Sequence, residues 1–297
     1  MTRIHFLPLL TVHVLAVGCQ QSPAPDAKPL VIASFYPMYD FTRQVAGDRA
    51  QVISLVPPGV HGHDWEPSPQ DVARLRQARV FVYNGAGFEP WAEKVIAEAA
   101  GPSLVVVAAS AGLARAPVPG GAEVDPHVWL DPVLAQGEVE AIREALERGD
   151  PAGKAVYDAN ARAFQAKLAA LHERFQAGLH ECARREVVVT HKAFSYLTRR
   201  YRLEQVAVMG LAPESEPSPA ALAAIVRFAR QGKVTAIFLE PLVSPRLAET
   251  LAREVGAKIL SLNPIEGVTT EEAAAGKGYT DLMAQNLESL RAGLGCT

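Results

Sequence analysis

The chain has 297 residues, more than one hydrophobic core usually serves, so two domains of ordinary size are expected. Its composition, 49% hydrophobic and 21% charged, is that of a globular protein able to bury a core. A formal net charge of −3 offers no basic field for nucleic acid, and no apolar run reaches the ~20 residues of a membrane-spanning helix.

After Arg3 an apolar stretch from Ile4 to Val17 leads to Gly18-Cys19 and then to the polar, Pro-rich QQSPAPDAKP. A basic start, a short apolar core and small residues before a cut predict an export signal over 1–18 and a flexible tether over 19–29. The cysteine directly after Ala16-Val17-Gly18 resembles a bacterial lipoprotein box, although Leu15 stands one place before that box's usual leucine. Lipidated Cys19 would anchor the protein in the periplasm or on the outer face of the cell membrane. The alternative, a buried N-terminal helix, is disfavoured by Pro8 and by the polar stretch after Cys19. With Cys19 lipidated, Cys182 and Cys296 remain as a candidate disulfide in an oxidising compartment, or else as two buried thiols.

From Leu30 short Val- and Ile-rich runs alternate with helical stretches. LVIASFYP, QVISLVP, RVFVYNG and SLVVVAAS read as strands, ended by Gly, Pro or Ser. MYDFTRQVAG and SPQDVARLRQA read as helices, the latter opened by Ser68-Pro69 in N-cap and N1 style. This alternation predicts a parallel sheet covered by helices on both faces, a first lobe over 30–136. The segment 131–183 reads without a strand. From Pro151 a long helix is predicted, roughly 30 residues or about 45 Å, with Val156, Phe164, Leu168, Leu171 and Phe175 as its apolar positions. It makes 137–183 a linker region carrying a backbone helix. The second lobe, 184–297, repeats the layout with strands EVVVTH, LEQVAVMG, VTAIFLEP and AKILSLN. Its helices lie near HKAFSYLTRRY, PSPAALAAIVRFARQG, SPRLAETLAREVG and YTDLMAQNLESLRAGL. The fold class is thus α/β: two lobes, each with a roughly four-stranded, mostly parallel sheet, joined by one long helix.

His63, His127 and His191 stand 64 residues apart, each just after a predicted strand or turn. Loops at the carboxyl ends of parallel strands converge on a crevice, so histidines from both lobes would meet between them. Three imidazoles suit zinc, copper or nickel, with a carboxylate or water completing the set, better than they suit Mn²⁺. Because bound imidazole must be deprotonated, affinity should fall as pH drops through about 6–7. Metal-bound histidine usually donates its second N–H to an acceptor, and Asp64 and Glu66 lie near His63, Asp125 and Asp131 near His127. His61 reads as an exposed loop residue in preference to an auxiliary ligand, and His172 and His180 as solvated positions on the long helix. Gly85 and Gly87 imitate a dinucleotide fingerprint but lack its third glycine, and neither a G-x-S-x-G elbow nor HExxH is present.

PPGVHGHDWEPSPQD, DPHVWLDP, THKAFSYLTRRYRLEQVAV, PESEPSP, IFLEPLVSPRLAETLAREVGAK and YTDLMAQNLESL together resemble the zinc/manganese solute-binding proteins of bacterial ABC importers, the TroA-like cluster. The resemblance runs from about Leu30 to Leu294. It implies two α/β lobes on a rigid helix, with His63, His127 and His191 as metal ligands. Histidine in the third place implies the zinc type, with Mn²⁺ or Fe²⁺ receptors as the alternative. It also implies a monomeric, non-enzymatic receptor that captures Zn²⁺ outside the membrane and delivers it to an ABC permease. Some members are described as metal-dependent adhesins, a label compatible with metal capture. Two departures matter. Lys277-Gly278 precede Tyr279 where many members carry an aspartate, so the fourth position falls to water or to Glu266. Only ARAPVPGGAEV stands where zinc members often insert a His-rich loop. Glu240 is either a carboxylate beside the cleft or a surface charge. A secreted zinc hydrolase with the same three histidines, and Glu66 or Glu240 as base, is the rival reading.

Overall fold

The computed structural model describes residues 28–99, 101–114, 124–211, 219–232, 234–242 and 245–297. The predicted export signal, Cys19, most of the tether and most of ARAPVPGGAEV and PESEPSP lie outside the described residues. Four strands, β1 (Leu30–Ala33), β2 (Gln51–Ser54), β3 (Val80–Tyr83) and β4 (Val105–Ala108), pair in parallel in the order β2-β1-β3-β4. A second set, β5 (Glu186–Val189), β6 (Glu204–Ala207), β7 (Ala236–Leu239) and β8 (Lys258–Ser261), repeats that order as β6-β5-β7-β8. Each strand has four residues, shorter than the apolar run that announced it. At 30–37 the strand ends at Ala33 because Pro37 stands in the first turn of helix α1 (Tyr36–Ala46), where its missing N–H costs nothing.

Side chains alternate across a strand, so each sheet feeds two cores. Ile32 and Phe81 pack under helices α2 (Pro69–Leu75) and α3 (Ala92–Ala99). Val31, Ala33, Val80 and Val82 face the opposite way, onto α1 and the helices α4 (Pro132–Gly149) and α5 (Lys154–Gly178). That inner core is continuous with Val187, Val189 and Phe238 of the second sheet and with the final helix, α10 (Tyr279–Leu294). On the outer face of the second sheet, Val188 and Ile237 pack under α7 (Pro219–Gln231) and α8 (Arg246–Val255). Two short helices, α6 (Ser195–Arg200) after β5 and α9 (Thr270–Ala274) before α10, complete the numbering.

The backbone helix is shorter than the sequence suggests. A 3₁₀ turn occupies Pro151–Gly153, and α5 follows with 25 residues, about 37 Å. Its buried stripe is Tyr157, Ala161, Phe164, Leu168, Leu171 and Phe175, while Val156 is 43% exposed. The stripe starts one residue later because Tyr157 donates its hydroxyl to Asp150 at 2.7 Å, which turns that ring inward. Asp150 also takes Arg49 Nε and Nη2 at 2.7 and 2.9 Å, locking the α4–α5 corner to the first lobe. Helix α4, which the sequence left merely strandless, lies against α1 and α5. Among the described residues no helix is long and apolar enough to cross a membrane.

The lobes are clasped by hydrogen bonds as well as by the shared core. Tyr36 Oη donates to Lys277 O at 2.6 Å, Tyr279 N to Asp40 Oδ2 at 3.0 Å, and the Tyr279 hydroxyl to Trp129 O. Arg200 Nε donates to Asp131 Oδ2 at 2.8 Å. Cys182 and Cys296 form a disulfide across 114 residues, stapling the C-terminus just ahead of β5.

One group in this core is uncompensated. Glu138 of α4 is fully buried, and neither carboxyl oxygen has a hydrogen-bond partner among the described residues. Burial first, and then the neighbouring charges of Glu89 and Asp131, hold it well above the usual carboxylate range, so it stays neutral. The unfolded chain ionises this group above about pH 4.3 while the folded one keeps its proton, so stability falls as pH rises through that window. Glu138→Gln is expected to melt at a higher temperature than the parent at pH 8, and by a clearly smaller margin at pH 5. A margin that does not grow between pH 5 and pH 8 would contradict a neutral Glu138.

Candidate metal centre

In sheets of this order the connections diverge on either side of β1 and of β5, and the crevice opens where they part. Each lobe fills its crevice with a buried glutamate. In the first lobe Glu89 accepts from Ser34 Oγ at 2.7 Å and from the Asn84 and Gly85 amides at 2.8 and 3.0 Å. Burial outweighs these bonds and pushes its carboxyl up to about 7. In the second lobe the Thr190 hydroxyl donates to Glu240 Oε1, the His191 amide does so at 3.3 Å, and Oε2 lies 2.7 Å from His191 Nδ1.

His191 directly follows Thr190 at the end of β5 and is fully buried. His127 precedes a 3₁₀ turn over Val128–Leu130 and is also fully buried, its amide bonded to Asp125 Oδ1 at 3.0 Å. The same oxygen lies 2.8 Å from His127 Nδ1. Carboxylates beside both Nδ1 atoms turn each Nε2 toward the cleft. His63 sits in the 3₁₀ turn Gly62–Asp64, shortly before the Ser68–Asp71 capping box that opens α2. Gly62 is required at that turn, because a Cβ would lie 2.9 Å from the Phe88 ring and 3.0 Å from Glu266 O.

The three Nε2 atoms converge on Glu266, which is 1% exposed. Its Oε1 lies 3.0 Å from His127, 3.1 Å from His191 and 3.6 Å from His63, and its Oε2 lies 2.9 Å from His61 Nε2. One ligand atom from each of His63, His127, His191 and Glu266 falls within 4.8 Å of all the others. Burial alone would raise Glu266, but the charge of His191 and the contacts of His127, His191 and His61 hold it well below the carboxylate range. Burial opposes a charged His191 ring, yet Glu266 and Glu240 outweigh it and hold its pKa at about 10. His127 is raised against burial by Asp125 and Glu266. Even so, His63 Nε2, Glu266 Oε2 and both His61 nitrogens are buried without a hydrogen-bond partner among the described residues. Such atoms are costly unless something satisfies them, and a cation bound in the cluster would satisfy His63 Nε2.

The structure corrects several sequence readings. His61 is not an exposed loop residue, since its side chain is 9% exposed and faces Glu266. Gly62 turns the chain so tightly that residues on both sides of it point inward. His172 is half-buried against the Tyr201 hydroxyl at 3.1 Å, whereas His180 is exposed as expected. Glu66 is exposed and supports no histidine, and the Asp64 side chain lies outside the described residues. Asp131 turns away from His127, accepting from Val133 N at the start of α4 and pairing with Arg200. Glu240 sits against His191, not at the surface. Glu266, offered by the sequence only as an alternative to water, joins the three histidines in the cluster. Three imidazoles and a carboxylate are a donor set of the kind that holds Zn²⁺ in four-coordinate sites.

The sequence profile described as zinc-uptake complex component A, periplasmic, matches residues 31–293. The high-affinity zinc uptake system protein ZnuA of Bacillus subtilis is 39% identical over 279 residues, covering 88% of this chain and 86% of its own. The zinc-binding lipoprotein AdcA of Streptococcus pneumoniae is 36% identical across 98% of this chain, which spans only 61% of that longer relative. The Zn(II)-bound ZnuA-like domain of the same AdcA superposes with a TM-score of 0.80 at 38% identity, covering 90% of this chain and 99% of that one. The chain belongs to the family of periplasmic zinc-uptake components described by that profile.

Proposed function

We propose that this protein is the extracytoplasmic receptor of a zinc ABC importer, holding Zn²⁺ through His63, His127, His191 and Glu266 and delivering it to a permease. The observation that carries the reading is the convergence of four buried donor atoms from both lobes within 4.8 Å. The zinc named in the relatives' descriptions matches the preference of a three-nitrogen, one-oxygen set over that of Mn²⁺. Asp125 and Glu240 orient the His127 and His191 rings. The protein would act as a monomer held by lipidated Cys19, and zinc would be its cargo, not the agent of a reaction.

Zinc should stabilise the fold by RT ln(1 + [L]/Kd), about 4.1 kcal/mol at a thousandfold excess over Kd. His191→Ala is expected to weaken zinc binding at least about 100-fold, or about 2.8 kcal/mol, and to abolish most of the thermal shift. His172→Ala, outside the cluster, should leave both unchanged. Wild-type zinc affinity in His191→Ala would contradict the ligand set.

The pH dependence also has a definite sign. His191 is held at about 10, so without metal its protonated ring stabilises the fold fully below the ordinary imidazole range. That stability is lost as pH climbs toward 10. Zinc must displace the proton, so affinity should climb from about pH 6 to about pH 9, a higher window than imidazole chemistry alone gives. Titration calorimetry in buffers of different ionisation enthalpy should register proton release at neutral pH. Flat affinity with no proton release would contradict it.

A further inference from the structure

The turn that delivers Glu266 has an unusual backbone. Ile265 has φ of +60°, the left-handed region, and is fully buried. A β-branched side chain is strained there, and glycine or asparagine is the ordinary occupant. Such a residue persists only where its surroundings over-determine it.

Two asparagines do so. Ile265 N donates to Asn263 Oδ1 at 2.7 Å, an Asx-type bridge across Pro264. Asn263 is itself gripped by α10, its amide donating to Asn286 Oδ1 at 2.7 Å and its carbonyl accepting from Asn286 Nδ2 at 2.7 Å. The Asn286 amide thus occupies the place that a neighbouring strand's backbone would take beyond β8. The first lobe adds a fourth bond, from Trp129 Nε1 to Pro264 O at 2.8 Å. On the far side Gly59 N donates to Val268 O at 2.7 Å, and Gly267 lies so close to Val60 that a Cβ would stand 2.7 Å from its carbonyl oxygen. Asn263 and Asn286 are nearly inaccessible to solvent.

We infer that Asn263 and Asn286 are positioning residues for metal capture. They hold Ile265 in the left-handed turn that aims the Glu266 carboxylate at the three imidazoles. The inference rests on the reading of Glu266 as a zinc ligand. With φ negative at Ile265, the following peptide would rotate and carry the Glu266 side chain off the Nε2 cluster, leaving three imidazoles and solvent. The strained turn therefore makes the site four-coordinate and closed. Groups that orient metal-ligating carboxylates typically influence affinity 10- to 100-fold without touching the ion.

The test uses the mature protein loaded with Co²⁺, whose visible absorption reports coordination number, together with zinc competition titrations. Asn263→Ala and Asn286→Ala are expected to lower zinc affinity about 10- to 100-fold. Both should shift the Co²⁺ spectrum from the intense four-coordinate form to that of Glu266→Gln. Asn263→Asp, which keeps an oxygen acceptor for Ile265 N, should retain the wild-type spectrum. Leu290→Ala, a fully buried change in the same helix, should lower the melting temperature and leave the spectrum alone. Asn263→Ala leaves α10 intact and carries the test if Asn286→Ala does not fold. Wild-type spectra and zinc affinity in a destabilised Asn263→Ala protein would reduce the asparagines to packing and overturn the inference. Identical spectra for wild type and Glu266→Gln would instead remove Glu266 as a ligand, and the inference with it.

Discussion

The structure turns on one buried charge. Glu266 is almost wholly withdrawn from water, where an isolated carboxylate is too costly to remain ionised. It remains so because imidazoles from three other loops surround it, two from the first lobe's 57–67 loop and one each from the ends of the 124–131 and 190–194 segments. The attraction between this carboxylate and its histidines therefore acts across the junction of the lobes. Without metal the histidines share protons against Glu266.

Packing and hydrogen bonds away from the histidines also hold that junction. The core that begins on β1 and β3 passes through α5 to β5 and β7 without a break, and Tyr36, Tyr279, Trp129 and Arg200 cross between the lobes. Such a frame pre-positions ligands and restricts the swing of one lobe against the other. Capture then depends on loops whose rings are fixed from behind, by Asp125 for His127 and by Glu240 for His191. The repeated strand order explains why these supports look alike. Each lobe has a buried glutamate in its crevice, but Glu89 holds hydroxyl and amide groups while Glu240 also faces a ligand ring.

Much of this was legible in the sequence because parallel strands buried on both faces read as unbroken Val/Ile runs, and because loops after such strands carry ligands. The eight strands and the grouping of His63, His127 and His191 followed from that logic. What the sequence did not settle depended on conformation at single residues. Gly62 turns His61 inward, which the flanking polar residues gave no sign of. Tyr157 replaces Val156 in the helix stripe because its hydroxyl finds Asp150. Glu266 remained one of two options because its direction is set by a left-handed isoleucine, held by an asparagine 23 residues from its partner, and neither periodicity nor spacing encodes that.

The account stands on zinc lying among His63, His127, His191 and Glu266, and the most direct measurement is an anomalous-difference crystal structure of the zinc-loaded protein. It should show a single zinc peak about 2.0–2.2 Å from three imidazole nitrogens and one Glu266 oxygen, with no water on the metal. A peak elsewhere, or a water in place of the Glu266 carboxylate, would contradict it.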